Sequence, residues 1–235
     1  MARFIGLALL AVLLVAALTL PARLLVMYLD LPGELGQAEG TVWAGSARWR
    51  QAGHSPLEVQ WSWRPGRQWD WQAVEGPTDL RGRWRPGRDL ELPVVSGRLA
   101  LDRLDLSHWL AVARPVGMLE LDLHNVELAG GHAPQAQGRV VWRDAGLVGA
   151  VHESLGEIEL LVAPGQDGLV IEVQSLKAAP VQVRGRIDVD AERYQVDLWL
   201  RAARARPDLQ RALADLGERQ PDGQVRLRLS GRSGL

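Results

Sequence analysis

The chain has 235 residues, 47% of them hydrophobic, so it is long enough to bury a substantial core as one large or two small domains. Its formal net charge is -1, which gives no long-range field that would select nucleic acid or an acidic partner. The chain contains no Cys, and this excludes disulfides, thiolate nucleophiles and Cys-ligated zinc. Its 10 Trp, against 1 Phe and 2 Tyr, crowd the first half of the chain at positions typical of strands.

The chain begins with an apolar stretch. Residues 4–22 contain no charged residue, and about 20 such residues cross a hydrocarbon core. A cleaved secretory signal and a permanent anchor are the two interpretations. Only Arg3 and the amino terminus are positive before the stretch, and Leu20-Pro21-Ala22 offers no clean small-x-small cleavage site, which favours the anchor. The sequence therefore predicts residues 1–31 as a membrane anchor with an interfacial segment, its N-terminus cytoplasmic, and residues 32–235 as a β-rich periplasmic domain.

The next stretch, residues 40–63, predicts a β-hairpin. In its second half apolar residues alternate strictly with polar ones, the period of a strand with one dry and one wet face. A polar break at residues 53–56 lets the two halves fold back on each other. We expect Trp43, Trp61 and Trp63 to lie on the dry face, as part of the core.

Turn residues and glycines punctuate the strands that follow. Arg64-Pro65-Gly66-Arg67 predicts a type II turn, and residues 85–88 repeat it. The Arg tips are either simply solvated or contact lipid head groups or an acidic partner. A Gly-Arg-apolar phrase starts several strands and predicts curvature built into the sheet, at Gly82, Gly97, Gly138 and Gly185.

Apolar and polar residues alternate through most of the rest of the chain. This pattern predicts roughly ten strands joined by short turns, an antiparallel meander. The strands are expected around residues 97–101, 119–123, 140–142, 158–162, 169–173, 181–189, 194–200 and 225–229. Helices are predicted only over 105–112 and 208–216. Two short helices cannot cover the apolar face of so many strands. The sheet must fold on itself as a sandwich, curl into a half-barrel or trough, or leave its dry face for a lipid or another protein; the glycines favour the curled form.

No residue pattern proposes chemistry. The chain has no Gly-rich phosphate loop, nucleophile elbow or H-E-x-x-H motif. The carboxylate pairs Glu120/Asp122, Glu157/Glu159 and Asp188/Asp190 have the spacing of neighbours on the wet face of a strand, where solubility explains them. The histidines are scattered, at His54, His108, His124, His132 and His152. We therefore predict no catalytic, cofactor-binding or metal-binding residue, no cofactor and no enzyme activity.

Several phrases together resemble one family. They are Leu20-Pro21-Ala22, Leu31-Pro32-Gly33, the stretch from Gly40 to Ala47 and the stretch from Leu57 to Trp61. In these the chain is similar to the type II secretion system protein N (GspN) family, and Gly-Thr-Val-Trp-Ala-Gly is the distinctive part. The signature and structural residues are Gly40, Thr41, Val42, Trp43, Gly45, Trp61 and Trp63.

The resemblance implies a function and partners. It implies a non-enzymatic, single-pass inner-membrane component of the type II secretion system, which exports folded proteins across the outer membrane of Gram-negative cells. Its expected partners are the inner membrane and other secretion components, with no nucleic acid. The alternative is a periplasmic trough, similar to proteins of the AsmA kind, that binds or transfers lipid.

Overall fold

The structure is a computed structural model of the whole chain. It describes residues 19–24, 34–50, 54–87, 90–103, 113–128, 133–149, 153–177, 179–202, 209, 213 and 217–232. The chain divides into two compact units, residues 1–84 (unit 1) and residues 85–235 (unit 2). Strands dominate both units, so the prediction of a mostly β protein is confirmed. The predicted boundary between an anchor and a periplasmic domain at residue 31 stays a prediction.

Unit 1 is an antiparallel meander in which each strand pairs with the next along the chain. Pairing of Ala44 with Ser62 and of Trp49 with Leu57 joins the second and third strands and confirms the predicted hairpin. The first strand was not predicted; it carries a bulge after Gly36 and a positive φ of 53° at Gln37. The strands are β1 (Glu34–Gly40), β2 (Ala44–Arg50), β3 (Leu57–Arg64), β4 (Gln68–Glu75) and β5 (Thr78–Arg85).

Unit 2 continues the same construction. Its strand order is β6-β7-β8-β9-β10-β11-β12-β14-β13, so only the last two strands depart from chain order. The predicted strands of this part are confirmed, whereas the two-residue β13 was missed. The elements are β6 (Leu90–Ala100), the 3-10 helix η1 (Leu101–Arg103), β7 (Ala113–Leu128), β8 (Gln135–Gly149), β9 (Glu153–Pro164), β10 (Gly168–Ser175), β11 (Val181–Asp190), β12 (Arg193–Ala202), β13 (Glu218–Arg219) and β14 (Val225–Arg232).

The core of unit 2 lies where two helical leucines cover the sheet. Leu209 and Leu213 are helical and only 2% and 5% exposed, as the spacing in residues 208–216 predicts. They belong to a buried cluster with residues of six strands, among them Ile158, Val173, Val181, Leu200 and Val225. Such burial stabilises each large aliphatic side chain by about 1.5–3 kcal/mol. The remaining residues of 208–216, and the helix predicted over 105–112, lie outside the described residues.

Next to that cluster the same apolar face is only partly covered: Ile171 and Ile187 pack against the cluster but remain half-buried. A row of aliphatic side chains crosses five strands in register, from Val162 through Ile171, Ile187 and Val196 to Leu229. The first four are half-buried and Leu229 is 37% exposed. We call this set the aliphatic row. In the part of the chain that the structure describes, its cover is incomplete.

Gly185 shows why glycine occupies an apolar position of β11. Its φ is 154°, and a Cβ there would lie 2.2 Å from the carbonyl oxygen of Asp197 and 2.8 Å from Cα of Leu198 on β12. The neighbouring backbone therefore approaches too closely for any side chain. Gly138 has the same relation to β7, with a φ of 142° and a Cβ position 2.1 Å from the Asp122 carbonyl oxygen. Whether the sheet forms a half-barrel, a trough or a sandwich stays a prediction.

Of the predicted anchor, residues 1–31, the structure describes only residues 19–24. Within the described ranges no helix has the length and apolar character needed to cross a membrane. Residues 4–18 lie outside those ranges, and the description begins at Thr19.

Candidate functional site

The signature residues form a tight turn between β1 and β2. We call residues 40–45 the signature turn. The Thr41 N–H donates to the Ala44 carbonyl oxygen at 2.8 Å, and the Ala44 N–H donates to Thr41 Oγ1 at 3.1 Å. Gly40 has a φ of 87°, in the left-handed region that glycine adopts without strain. The backbone and the Thr41 hydroxyl therefore close the turn locally.

Two indoles attach this turn to the sheet. Trp61 Nε1 on β3 donates to the Thr41 carbonyl oxygen at 3.2 Å, and Trp69 Nε1 on β4 donates to the Val42 carbonyl oxygen at 3.0 Å. Gly45 leaves space for the first indole, because a Cβ there would lie 2.8 Å from the Trp61 ring. Since a buried Trp N–H needs an acceptor, these bonds fix both the rings and the turn.

A cluster of four rings continues from the turn across β3, β4 and β5. Trp43 packs edge-on against Trp63 with ring centroids 5.9 Å apart and stacks on Trp69 at 6.3 Å. Trp69 in turn contacts Trp84 at 5.4 Å. We call Trp43, Trp63, Trp69 and Trp84 the tryptophan cluster. Trp69 is its buried centre, 9% exposed.

The prediction that Trp43, Trp61 and Trp63 are all core residues is wrong for Trp63. This side chain is 42% exposed, whereas Trp43 and Trp61 are half-buried. Trp63 is the last residue but one of β3 and precedes the Arg64–Arg67 turn. The pairing of β2 with β3 ends at Ser62, so β2 does not extend beside Trp63. In that turn Gly66 has the positive φ, 97°, that the sequence predicts. The second copy of the turn lies partly outside the described residues.

The signature turn also binds residues that precede β1 in the chain. The Val42 N–H donates to the Leu20 carbonyl oxygen at 2.9 Å, and Pro21 forms an isolated antiparallel bridge with Thr41. Ala22, at the start of the helical residues 22–24, is 1% exposed. Sequence reasoning found the turn residues as a signature but not this contact. The last residues of the apolar N-terminal stretch are therefore fixed to the sheet.

A second candidate surface is the outer edge of β14. On one side β14 pairs with β12 along its whole length, from Val225 to Arg232. On the other side β13 pairs only with Val225 and Arg226. Among the described residues, nothing pairs with the outer side of residues 227–232, which we call the β14 edge. Arg228 and Arg232 on it are exposed.

The polar face of unit 2 beside this edge is a network of ion pairs. Arg226 Nε donates to Asp197 Oδ1 at 2.7 Å, and its guanidinium lies 4.8 Å from the Trp199 ring centroid. The hydrogen bonds from Arg226 hold the pKa of Asp197 below its usual value. Two hydrogen bonds to Asp197 and the contact with the Trp199 ring thus hold Arg226 in place.

The predicted carboxylate pairs are absorbed into the same kind of network. Glu159 differs from the expected solvated residue: it is 8% exposed, accepts from Gln174 Nε2 at 2.6 Å and pairs with Arg139. The Gln174 bond, with Arg139 beside it, lowers the pKa of Glu159. Glu157 accepts from Lys177 at 3.1 Å and from Arg143 at 2.9 Å, and these bonds lower its pKa. These carboxylates tie strands together.

The geometry gives no constellation for catalysis. No group of three or more His, Asp or Glu able to hold a metal ion occurs in the described ranges. His54 and His124 fall within these ranges, and the other three histidines do not. A polar cleft of unit 2 is lined by Arg184 and Arg201, but Arg184 already bonds Gln224 and Arg201 pairs with Asp222. The absence of enzyme activity stays a prediction.

The fold and these two surfaces define a class of protein: a chain of antiparallel β-meanders, of which one unit binds its own N-terminal residues and the other has a strand edge that no described residue pairs. The family described as Type II secretion system (T2SS), protein N, matches residues 33–228. The match covers most of the chain and includes the signature turn. The chain therefore belongs to this family and is a type II secretion system component. No curated protein and no solved structure matches it.

Proposed function

We propose that the protein is a non-enzymatic component of the type II secretion system. In this proposal residues 1–31 anchor it once in the inner membrane, with the N-terminus cytoplasmic, and the β-rich remainder lies in the periplasm. It takes part in the export of folded proteins by binding other secretion components. The family match supports the system, and the β14 edge is the single structural observation that supports binding as the mode of action.

The β14 edge supports docking because its backbone groups are available. In an antiparallel strand, successive residues direct their N–H and C=O groups alternately to the two sides. Half of those groups along residues 227–232 therefore face away from β12. A row of unpaired backbone groups is a template for strand addition by a partner.

The side chains along this edge favour a carboxylate-bearing partner strand. Arg226 is already bound to Asp197, whereas the Arg228 side chain is 56% exposed and reaches Asp197 only at 4.0 Å. Arg219 of β13 and Arg232 of β14 are exposed as well. A second copy adding its own β14 would bring like charges together, which is unfavourable. We therefore expect a different secretion component.

Site-specific photo-crosslinking tests this docking. A photoreactive residue at Ser230, exposed on β14, is expected to capture a secretion component in cells. Glu172 of β10 is the matched control. It is exposed on the same face of the sheet as Ser230, three strands in from the edge and about 14 Å away. Capture at Glu172 alone, or at neither position, would contradict docking at the β14 edge.

Two further measurements test the rest of the proposal. Loss of the protein is expected to reduce export through the type II system, and unchanged export would contradict the proposed role. Resistance of the chain to extraction with alkaline carbonate is expected for an anchor. A mature chain that begins after residue 20 would instead show that the apolar stretch is a cleaved signal.

A second candidate function is the binding or transfer of lipid by an AsmA-like trough. The aliphatic row favours it, because five large side chains lie in register across five strands and remain half-buried or exposed. Apolar surface left partly open on a folded protein commonly marks a binding site. In this candidate, acyl chains would complete the cover.

Photoactivatable phospholipid distinguishes the two candidates. In cells or vesicles containing this lipid, a trough is expected to acquire adducts on residues of the aliphatic row, such as Ile171 and Ile187. Adducts confined to residues before 25 would argue against a trough and leave the anchor intact. Ile187→Arg places a charge in the row and is expected to reduce labelling there; Arg186→Ala, on the opposite face, is the control.

A further inference from the structure

One end of unit 1 combines features that the docking proposal does not use. Trp63, Leu20 and Leu24 are exposed large apolar side chains, at 42%, 36% and 40%. The Arg64–Arg67 turn adjoins Trp63 directly, and Arg64, Arg67 and Arg23 are exposed. An apolar and aromatic set beside arginines has the composition of a membrane-interface surface.

Backbone hydrogen bonds and a ring contact bring these residues to one place. The Leu20 carbonyl accepts from the Val42 N–H at 2.9 Å, and the next residue, Trp43, packs on Trp63 at 5.9 Å. Leu24 follows within one helical turn, its N–H donating to the Pro21 carbonyl at 3.0 Å. These contacts connect residues 20–24, through the signature turn, to the end of β3 at Trp63.

We propose that this end of unit 1, formed by Leu20, Leu24, Trp63 and the Arg64–Arg67 turn, lies in the headgroup layer of an anionic lipid bilayer. We call it the interfacial tip. The inference rests on the proposed anchor, because the apolar stretch of residues 4–20 ends at this tip. If the stretch crosses the bilayer, it leaves the bilayer at the tip, so the tip lies against that bilayer surface.

The chemistry of the tip matches that surface in two respects. Indole rings concentrate at the headgroup level, where an apolar ring and a polar N–H are both satisfied. Arginines near an anionic surface gain electrostatic attraction, while their stems remain against apolar groups. Asp70 offsets part of this charge through its ion pair with Arg64, which leaves Arg23 and Arg67 as the principal cations.

The opposite end of β4 provides an internal control. Pro65 lies in the turn that precedes β4, and Pro77 lies in the turn that follows it; both are exposed. The eight residues of β4 separate the two turns by about 26 Å. In the proposed orientation, with the tip among headgroups and β4 running away from the bilayer, the turn at Pro77 lies in water, beyond the Debye length of about 8 Å at physiological salt.

The test is fluorescence quenching of the labelled chain in vesicles that contain no other protein. The full chain, which has no native Cys, is made as Pro65→Cys or Pro77→Cys, labelled with an environment-sensitive dye, and reconstituted in vesicles of phosphatidylethanolamine and phosphatidylglycerol. Headgroup spin-labelled lipid is expected to quench the label at position 65 several-fold more than the label at position 77. Trp63→Ser and Arg67→Gln, each combined with Pro65→Cys, are expected to reduce this quenching, and so is replacement of phosphatidylglycerol by phosphatidylcholine.

Equal quenching at both positions, or stronger quenching at position 77, overturns the interfacial tip. A tip that binds an acidic protein instead would also leave the label at position 65 unquenched in these vesicles. Alkaline carbonate separates this failure from failure of the anchor. If the chain stays in the membrane but shows no quenching at position 65, only the interfacial tip is contradicted. If carbonate releases a chain that was quenched before extraction, only the anchor is contradicted.

Discussion

Unit 1 and unit 2 are built from the same antiparallel meander but are stabilised by different side chains. Unit 1 uses indoles: seven of the ten Trp lie there, and their rings and N–H groups join strands to the signature turn. Unit 2 has an aliphatic cluster beneath Leu209 and Leu213 on one face and ion pairs on the other. In unit 1, large rings with a polar N–H supply both buried area and specific hydrogen bonds.

The largest expected effect is a side chain at Gly185. We expect Gly185→Val to destabilise unit 2 by about 3 kcal/mol or more, because its Cβ would meet the β12 backbone and valine is strained at this φ. Hydrogen exchange should rise in β11 and β12. Gly36→Val in unit 1, where a Cβ meets nothing within 4 Å, is the control and should change little. Unchanged exchange in Gly185→Val would show that the two strands can separate at low cost.

An effect of similar size is expected at the centre of the tryptophan cluster. Trp69→Ala is expected to cost about 3–5 kcal/mol, because it removes a buried ring that contacts Trp43 and Trp84. Exchange should rise in β2 to β4 and remain unchanged in β9 to β12. Trp69→Phe keeps an aromatic ring but loses the hydrogen bond to Val42, so its stability should lie between those of Trp69→Ala and the native chain. Equal loss of protection in both units would contradict separate stabilisation.

A smaller effect is expected at the signature turn. Thr41→Val removes the hydroxyl that binds the Ala44 N–H, at a cost of about 1 kcal/mol. Local proteolysis after Arg23 should become faster, because the turn also holds Pro21. Thr41→Ser keeps the hydroxyl and should behave as the native chain. Equal proteolysis of the valine variant would show that the two indoles hold the turn without the hydroxyl.

The smallest effect is the acid sensitivity of unit 2. Hydrogen bonds lower the pKa of Asp197 and Glu159, so their contribution is complete above the unfolded values of about 3.9 and 4.3 and is lost as pH falls through the lower folded values. The urea midpoint of unit 2 should therefore be flat near pH 6 and decline below about pH 4. Asp197→Asn should make that decline shallower. An identical decline in the variant would assign the acid sensitivity to other carboxylates.

The sequence predicted those parts of the fold that alternate clearly. Residues 57–63, 158–162 and 181–189 have period-two apolar patterns, and each is a strand. β1 was missed because Glu34–Gly40 has little apolar content and a bulge, so no period survives. β13 has only two residues and carries no pattern at all.

The residues of the signature turn were singled out from the sequence, but Trp69 and the contacts that hold the turn were not. Gly-Thr-Val-Trp-Ala-Gly is distinctive as a phrase, yet its function as a turn depends on Trp61 and Trp69, which lie 20 and 27 residues from their acceptors. Alternation gives the face of a side chain but not the direction of an indole N–H. Exposure of Trp63 was missed for a related reason, because the pattern does not show where neighbouring strands stop.

The short strand β13 sets a length limit on any partner strand. Because Glu218 and Arg219 occupy the outer side of Arg226 and Val225, an incoming segment must stop at Leu227. The free stretch then ends at Arg232, the last residue of β14, which leaves room for a segment of about 20 Å. The cap also fixes the register, since a one-residue slip would drive the incoming chain into β13 or exchange the faces of all its side chains. In the proposed docking, β13 therefore restricts the length and the alignment of a partner strand before any of its side chains is compared.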